Sequence, residues 1–534
     1  MRTEGIGAAN TQVVTTAIAR KPFGIERHAL WLALLTVALS IGWFLLDGHL
    51  KVNFADEGFL WYGVEGLRRG EVPMRDFEAY DPGRYLWVAA WSFLLGQSLV
   101  SLRLACVLFQ CLGVFCGLLV ARRLSKNWFF LSCVALLLCA WMHPRFKLFE
   151  QSVALMAVYA GVLLLERPSV RRHFLVGIFG GLSAFVGRNH GAYHVFAIGL
   201  LIVWSSWPEG WRVLLRRSLV WGCGLLVGYL PQLLMFLFVP GFFHAFVPYI
   251  TDMLKSGSTN LATSVPWPWL DRSGFPFWFR FTGTVEGCWY VGVLLFLVVA
   301  FLRLVTLGRE RLRDHPVLVA SALVSLPYAH FIFSRPDIVH LGHGAPTAAL
   351  GALALAFTFA GAGQAIGYGL APVLLAASML ANLFQMGISL RLFTPSDELF
   401  DVEVRGDRMV VPRRHAQVIE SARHLAEDLA KPNEPILFMP HFPTLYPMTQ
   451  RRSPTQTIYF VFPPDDLKLL DEIKKAGVQW VFFQDYALDG REELRFRNTN
   501  PRVMQYFFKE FERVPINTLP GDMIVLHRRS APAP

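Results

Sequence analysis

Long apolar runs separated by short polar connections fill the chain between residues 28 and 390. A helix needs roughly 20 apolar residues to cross the hydrocarbon core of a bilayer. The runs predict about 11 membrane-spanning helices, near 28–46, 99–121, 128–142, 148–166, 173–188, 190–207, 217–239, 287–306, 316–333, 345–361 and 367–390. The chain is therefore predicted to be a polytopic α-helical membrane protein.

The tail, residues 391–534, has no long apolar run, and its charged and apolar positions alternate. Short apolar segments predict strands at 435–439, 480–484 and 523–527, and amphipathic patterns predict helices at 464–476 and 503–511. We expect a soluble C-terminal α/β domain on the same side of the membrane as the loop that follows the first span.

Charge sets the predicted orientation, because basic residues collect in cytoplasmic connections. The basic clusters are Arg20/Lys21/Arg27, Arg122/Arg123/Lys126, Arg167/Arg171/Arg172, Arg212/Arg216/Arg217 and Arg303/Arg309/Arg311/Arg313. This pattern places the N-terminal segment 1–27 in the cytoplasm, and the first outer loop 47–98, the outer loop 240–286 and the tail outside. Residues 83–96 are apolar but too short to span, so they and residues 58–69 are predicted to form two juxtamembrane helices.

Composition agrees with a membrane protein, since 54% of residues are hydrophobic, 17% are charged and the mean hydropathy is +0.40. The net charge of +11 is explained by the short basic connections, and no nucleic-acid partner is expected. The seven cysteines lie in or beside apolar runs and predict neither a disulfide framework nor a zinc site. No GxGxxG or P-loop pattern is apparent, so no nucleotide site is expected.

An acidic pair, Asp56-Glu57, opens the first outer loop. A carboxylate just outside the bilayer can deprotonate a hydroxyl while an anionic group departs beside cationic side chains. Outer connections supply further polar candidates: Asp81, Arg84, His143, Arg145, Lys147, Arg188, His190, Arg335, His340 and His343. Basic residues on that side run against the positive-inside bias, which marks them as candidates for binding a phosphate.

Simpler roles exist for several of these residues. Asp56 could cap the following helix, and Asp81 followed by Pro82 is better explained as a helix cap than as a catalytic group. Arg145 and Lys147 could bind headgroups at the interface. The spacing Asp337-x-x-His340-x-x-His343 is not specific for a metal, and contacts at a helix end are the default. Aromatic residues of loop 240–286 favour an interfacial belt over a mobile lid.

The first outer loop resembles that of the GT-C superfamily, in its acidic pair, its two juxtamembrane helices, the segment FLLGQS and the helix start LRLACVL. The similarity is closest to the branch of protein O-mannosyltransferases and lipid A aminoarabinose transferases. The tail segments ILFMPHFPTLYPMTQRRSPT and VQWVFFQDY resemble the periplasmic domain of bacterial members.

The resemblance implies a glycosyltransferase, hexosyl or pentosyl, of the bacterial inner membrane. It would take a sugar from a polyprenyl-phosphate donor and pass it to a glycan, lipid or protein acceptor. Asp56 would be the base, with Glu57 a secondary carboxylate, and Arg84, Arg145, Lys147, Arg188 or Arg335 would bind the phosphate. Gly58 stands where relatives often have an arginine at the helix start. Some relatives use a divalent metal, but the sequence assigns no second ligand for one.

Two other classes of function remain open from the sequence. A transporter or flippase for a lipid-linked or small polar solute would also need many spans, but it predicts charges near the bilayer midplane and broken helices in related halves. The charges here lie at the ends of the predicted spans. An inert membrane scaffold does not account for the scattered outer basic residues.

Overall fold

The computed structural model describes residues 27–256, 261–312, 314–359, 361–461 and 465–529. Apolar helices make up the part of the chain before residue 390. They are α1 Arg27–Asp47, α2 Asp56–Arg68, α3 Pro82–Leu95, α4 Leu99–Ala121, α5 Trp128–Ala140, α6 Leu148–Glu166, α7 Val170–Val186, α8 Arg188–Ser206, α9 Trp211–Gly228, α10 Leu230–Phe238, α11 Phe242–Ser256, α12 Phe277–Leu312, α13 Pro316–Ser334, α14 Ile338–Ala356 and α15 Gly363–Ala381. The predicted cytoplasmic segment 1–27 falls almost wholly outside the described residues.

Seven of the described helices are long and apolar enough to span a membrane: α1, α4, α6 with the turn before it, α12, α13, α14 and α15. The pair α9 and α10 passes the same test but bends by 51° at its break, which gives up to eight spans. Pro231 at the start of α10 accounts for the break, because proline cannot continue the hydrogen-bond ladder. The chain is thus a multi-pass membrane protein, whereas the count of eleven spans stays a prediction.

Helices α2 and α3 are the two juxtamembrane helices expected from the sequence. They pack on each other, and α3 also packs on α4. Gly63 of α2 permits the close approach, because a Cβ atom there would lie 2.2 Å from the ring of Tyr85 on α3. The buried rings of Trp61, Tyr62 and Phe77 complete an aromatic core beneath the loop.

Two predicted boundaries are wrong. Loop 240–286 contains helix α11 and the first turns of α12, because residues from Phe277 onward continue the helical pattern of the span. Helix α14 begins at Ile338 rather than at residue 345, so His340 and His343 lie in its first two turns instead of in a loop. Phe242 and Phe246 pack inside the protein, while Trp269, Phe275, Phe277, Trp278, Phe279 and Phe281 are exposed, as an interfacial aromatic belt requires.

The tail contains a mixed four-stranded sheet with strand order β3-β4-β6-β5. The elements after residue 387 are α16 Ile388–Phe393, β1 Leu399–Val404, β2 Asp407–Pro412, α17 Arg413–His424, β3 Ile436–Met439, α18 Leu445–Met448, α19 Asp466–Lys475, β4 Trp480–Gln484, α20 Phe496–Thr499, α21 Pro501–Glu510, β5 Phe511–Val514 and β6 Met523–Arg528. Strands β3, β4 and β6 and helices α19 and α21 match the predicted elements, and the α/β character of the tail is confirmed.

The β1–β2 hairpin, which the sequence did not indicate, joins the tail to the membrane helices. Its turn is formed by Arg405 and Gly406, both with positive φ, as two-residue hairpin turns require. The backbone of Val410 on β2 accepts a hydrogen bond from Lys51 and donates one to His49, just after α1. The tail and the first outer loop therefore lie on the same face of the molecule.

Candidate active site

Asp56 is the first residue of α2, with Ala55 at the N-cap position. The alternative that Asp56 caps the helix is therefore not observed, although an acidic group in the first turn is still favoured by the helix dipole. Its carboxylate lies 3.1 Å from Nζ of Lys147, and the two side chains are 27% and 15% exposed. Both groups of this pair can thus be reached from outside the protein.

Glu57 differs from its neighbour because its side chain is only 1% exposed. Arg103 of α4 donates two hydrogen bonds to it, of 2.7 and 2.8 Å. The same guanidinium also donates to the carbonyl oxygens of Gly48, Leu50 and Lys51. Arg103, which the sequence analysis did not single out, therefore fixes the connection between α1 and α2 through Glu57.

Lys147 ends a single 3₁₀ turn, Arg145–Lys147, directly before α6. Three residues later, Glu150 of α6 receives a hydrogen bond of 2.9 Å from Arg84 of α3, and both side chains are buried. The guanidinium of Arg84 also lies over the ring of Tyr80, 4.4 Å from its centroid. Burial raises the pKa of Tyr80 to about 12, so its hydroxyl keeps its proton beside Asp56 and Lys147.

The remaining basic candidates each have a carboxylate partner. The Arg188 side chain donates a hydrogen bond of 3.1 Å to Asp81. The same carboxylate also accepts a hydrogen bond from the backbone N–H of Arg188 at the start of α8. Asp81 does occupy the predicted cap position of α3, but its side chain bonds the other helix. Arg145 pairs with Asp47 at the end of α1. Arg145 and Arg188 therefore hold neighbouring elements together.

Arg335 follows α13 and joins the membrane helices to the tail. Its guanidinium lies 3.0 Å from Asp337 and 2.9 Å from Asp489. Asp337 caps α14 by accepting the backbone N–H of His340 at 2.9 Å, and its carboxylate also contacts the His340 ring at 2.8 Å. Burial opposes ionisation of Asp337, but the contacts with His340 hold its pKa well below the usual value. In this structure Asp337 and His340 thus make helix-end contacts with each other.

The other predicted histidines lie deeper. Nδ1 of His190 is 3.0 Å from the hydroxyl of Tyr328, and the ring of His343 stacks on Phe331 at 4.9 Å. His143 lines a cavity of about 140 Å³ together with Lys51 and Arg145. Glu57 also lines this cavity but Asp56 does not, so His143 and Arg145 lie near the buried carboxylate of the acidic pair and not at the Asp56–Lys147 contact.

The tail contributes two residues that the sequence analysis missed. The ring of Tyr459 packs on Phe59 of α2 at 5.9 Å and on His441 at 5.5 Å. Asp56 acts electrostatically on both groups, so they lie within range of its charge. Burial lowers the pKa of His441 to about 4, so its ring is neutral at pH 7. The quoted tail segment that contains His441 was the available sequence signal.

Gly58 allows the tail to approach the acidic pair. A Cβ atom at this position would lie 2.0 Å from the backbone nitrogen of Thr444. That nitrogen donates a hydrogen bond of 3.0 Å to the carbonyl oxygen of Phe54. The Thr444 hydroxyl donates a hydrogen bond of 2.8 Å to the carbonyl oxygen of Asn53. Close packing of α18 on α2 therefore explains the glycine that stands where an arginine was expected.

The described residues hold no group of three or more histidine, cysteine, aspartate or glutamate side chains that fits a metal ion. A partly exposed carboxylate–ammonium pair thus lies at a juncture of α2, α6 and the tail, on one end of a helical membrane domain. An acid–base group beside a cation is the arrangement that transfer of a group from a phosphate requires.

No family model matches the chain, and no curated protein matches it at a significant level. Solved structures do match over nearly the whole length, and they define the fold as that of a multi-pass membrane protein with a C-terminal α/β domain. The particular structures are those of ArnT from Cupriavidus metallidurans. The apo form has a TM-score of 0.52, is 15% identical and covers 94% of this chain and 98% of its own. The form bound to undecaprenyl phosphate has a TM-score of 0.51, is 16% identical and covers 93% and 98%.

Proposed function

We propose that the protein is a glycosyltransferase of the bacterial inner membrane that uses a polyprenyl-phosphate-linked sugar as donor. The observation that carries the proposal is the partly exposed ion pair between Asp56 and Lys147 on this fold. Its structural relative was crystallised with undecaprenyl phosphate, the lipid that such a transfer would release. A transporter is less favoured, because the charged residues of the candidate site lie in the first two turns of α2, α4 and α6 and not near the middle of these helices.

The proposed reaction is a single displacement at the anomeric carbon of the donor sugar. Asp56 takes the proton of an acceptor hydroxyl while its oxygen bonds to the anomeric carbon and the bond from that carbon to the phosphate oxygen breaks. The configuration at the anomeric carbon is inverted as a result. The polyprenyl phosphate leaves with the electron pair of the broken bond.

Lys147 is the phosphate-binding group in this proposal. Its ammonium carries three donors, so the contact with Asp56 leaves capacity for phosphate oxygens. When Asp56 becomes protonated, its attraction for Lys147 falls just as negative charge builds on the leaving group. Arg335, 19% exposed, is the second cation proposed for the phosphate, whereas Arg84 is held by Glu150 in the interior.

The outward orientation is also a proposal. Contacts between the tail and the first outer loop place the acidic centre and residues after 391 on one face. The basic connections between α4 and α5 and between α6 and α7 lie at the opposite ends of those helices. With basic connections inside, the active face and the tail are periplasmic and the N-terminus is cytoplasmic.

The test compares purified full-length protein with Asp56→Asn, using undecaprenyl-phosphate hexoses and pentoses as donors and a membrane extract as acceptor. Release of undecaprenyl phosphate should fall about 10²–10⁴-fold, the usual contribution of a general base. Asp76→Asn is the matched control, because Asp76 lies in the same loop, is 32% exposed and pairs with Arg75 at 2.8 Å. Near-normal release by Asp56→Asn would exclude Asp56 from the mechanism.

A further inference from the structure

A second cavity, of about 370 Å³, lies between the start of α2 and the tail. One wall is the segment from Lys51 to Ala55, and the other is formed by residues of α17, β4 and the loop after β3. Its volume lies within the range of small-molecule sites, roughly 300–1,000 Å³. The polar and aromatic side chains that line it include Lys51, Phe54, His415, His441, Gln484 and Tyr486.

The lining carries little charge. Lys51 is its one ionisable side chain other than the histidines and Tyr486. The ammonium of Lys51 already donates to the carbonyl oxygens of Phe384 and Met386 and to the Ser389 hydroxyl, at 2.9–3.2 Å. Burial lowers the pKa of Lys51 to about 8. A site for a phosphate or carboxylate would present arginines or several lysines, which this cavity does not.

Two imidazoles offer hydrogen bonds that the protein does not use. Nδ1 of His415 and Nδ1 of His441 are buried and have no hydrogen-bond partner within the described part of the chain. Burial lowers the pKa of both rings to about 4, so each is neutral at pH 7, with one nitrogen donating and the other accepting. Buried polar atoms in native proteins almost always have partners, and both rings line this cavity, so these nitrogens are candidates for hydrogen bonds to a ligand.

Aromatic rings supply the other half of the lining. Phe54 packs against His415 at 5.0 Å and against Phe442 at 5.8 Å. Tyr486 is 42% exposed and meets His441 edge-on at 6.0 Å. The negative face of such a ring attracts the positively polarised C–H bonds on one side of a sugar. Neutral hydrogen-bonding groups beside aromatic faces match the hydroxyl groups and C–H faces of a carbohydrate.

The cavity also adjoins the acidic centre. Ala55 on its rim is followed directly by Asp56, and Asp56 acts electrostatically on the His441 ring. We propose that this cavity binds the acceptor of the transfer reaction and that the acceptor there is a neutral sugar residue. The role of the cavity as the acceptor site rests on the proposed function, whereas the binding of a neutral sugar does not depend on it.

The binding test uses full-length protein in phosphatidylcholine nanodiscs, since detergents with sugar headgroups would compete. Saturation-transfer NMR measures three neutral probes, the methyl glycosides of glucose, mannose and galactose, and one charged probe, glucose 6-phosphate. At least one neutral glycoside should bind more tightly than glucose 6-phosphate. Tyr486→Ala and His441→Gln should each weaken that binding about fivefold or more, as expected for loss of one stacking or hydrogen-bonding contact.

Phe508→Ala is the matched control, because Phe508 is an exposed aromatic residue of the same tail, 63% exposed and remote from the cavity lining. The assignment is overturned if no neutral glycoside binds, if the two variants bind as the wild type does, or if glucose 6-phosphate binds best. Asp56→Asn separates the two proposals. This variant should keep glycoside binding and lose transfer. In the wild-type protein, glycoside binding without any transfer refutes the proposed function alone, and transfer without glycoside binding refutes this inference alone.

Discussion

Asp56 and Glu57 are adjacent in one helix turn, and we expect their mutations to have opposite effects on stability and activity. Glu57→Gln removes the charge that balances Arg103 in a region where the two side chains are 1% and 5% exposed. Removing one partner of a buried ion pair typically costs about 3–5 kcal/mol, because the other charge is left uncompensated. Glutamine keeps one oxygen that can accept from Arg103, so we expect a loss near the lower end, about 3 kcal/mol.

Asp56→Asn should behave differently, since its pair with Lys147 is partly exposed and such pairs contribute about 0–1 kcal/mol. Thermal unfolding in one detergent, followed by tryptophan fluorescence, measures both variants. Glu65→Gln is the control on the same helix, because Glu65 pairs with Arg405 at 3.1 Å. Transfer activity per folded molecule is then measured for each variant.

The expected pattern is a large stability loss with residual activity for Glu57→Gln, and near-normal stability with activity lost for Asp56→Asn. The reasoning fails if Glu57→Gln unfolds at the same temperature as the wild type. It also fails if Glu57→Gln is as inactive as Asp56→Asn while fully folded, because Glu57 would then act in the chemistry.

Three further changes test other contacts of the site. Gly58→Ala should destabilise the protein by about 1–3 kcal/mol, because the added Cβ atom would overpack on Thr444. Gly70→Ala is the comparison, because Gly70 meets no neighbour but has positive φ, so this change should act only through backbone strain. Thermal unfolding measures both variants. Burial raises the pKa of Glu78 to about 7, so ionisation of Glu78 destabilises the folded protein increasingly as the pH rises from 4.5 to 7. Glu78→Gln should therefore be more stable than the wild type above pH 7, by at most roughly 3 kcal/mol, and no more stable below pH 4.5. Asp489→Asn should loosen the tail from Arg335 and speed its limited proteolysis, with under about 1 kcal/mol lost overall.

The sequence predicted the architecture well because its signals are local. Apolar runs locate helices, and short β-prone segments located β3, β4 and β6 within a residue or two. The β1–β2 hairpin was missed although its strands alternate apolar and charged residues, and its bridge to Leu50 after α1 joins residues far apart in the chain. Helix α14 began earlier than expected because Asp337 caps it, a signal that the hydrophobic pattern ignores.

The site was harder to predict because ion pairing is a property of tertiary structure. The sequence indicated Asp56 and Lys147 separately but could not join them. It also could not show that Arg145 would turn to Asp47 at the end of α1. Arg103 was missed because it lies inside a predicted span, whereas candidate charges were taken from the connections between spans. Its pairing with Glu57 exists only in the folded structure.

The arrangement of ion pairs around the site explains why the pair proposed as reactive, Asp56–Lys147, can be partly exposed. Glu57, next to Asp56, is locked to Arg103, and Glu150, one helical turn after Lys147, is locked to Arg84. These two pairs are dry, with every side chain at most 8% exposed. They hold the backbone on both sides of the Asp56–Lys147 contact, so neither reactive group needs its own burial to stay in place. A catalytic group held by such supporting contacts meets its substrate with little reorganisation, which is the main way that charged sites lower a barrier.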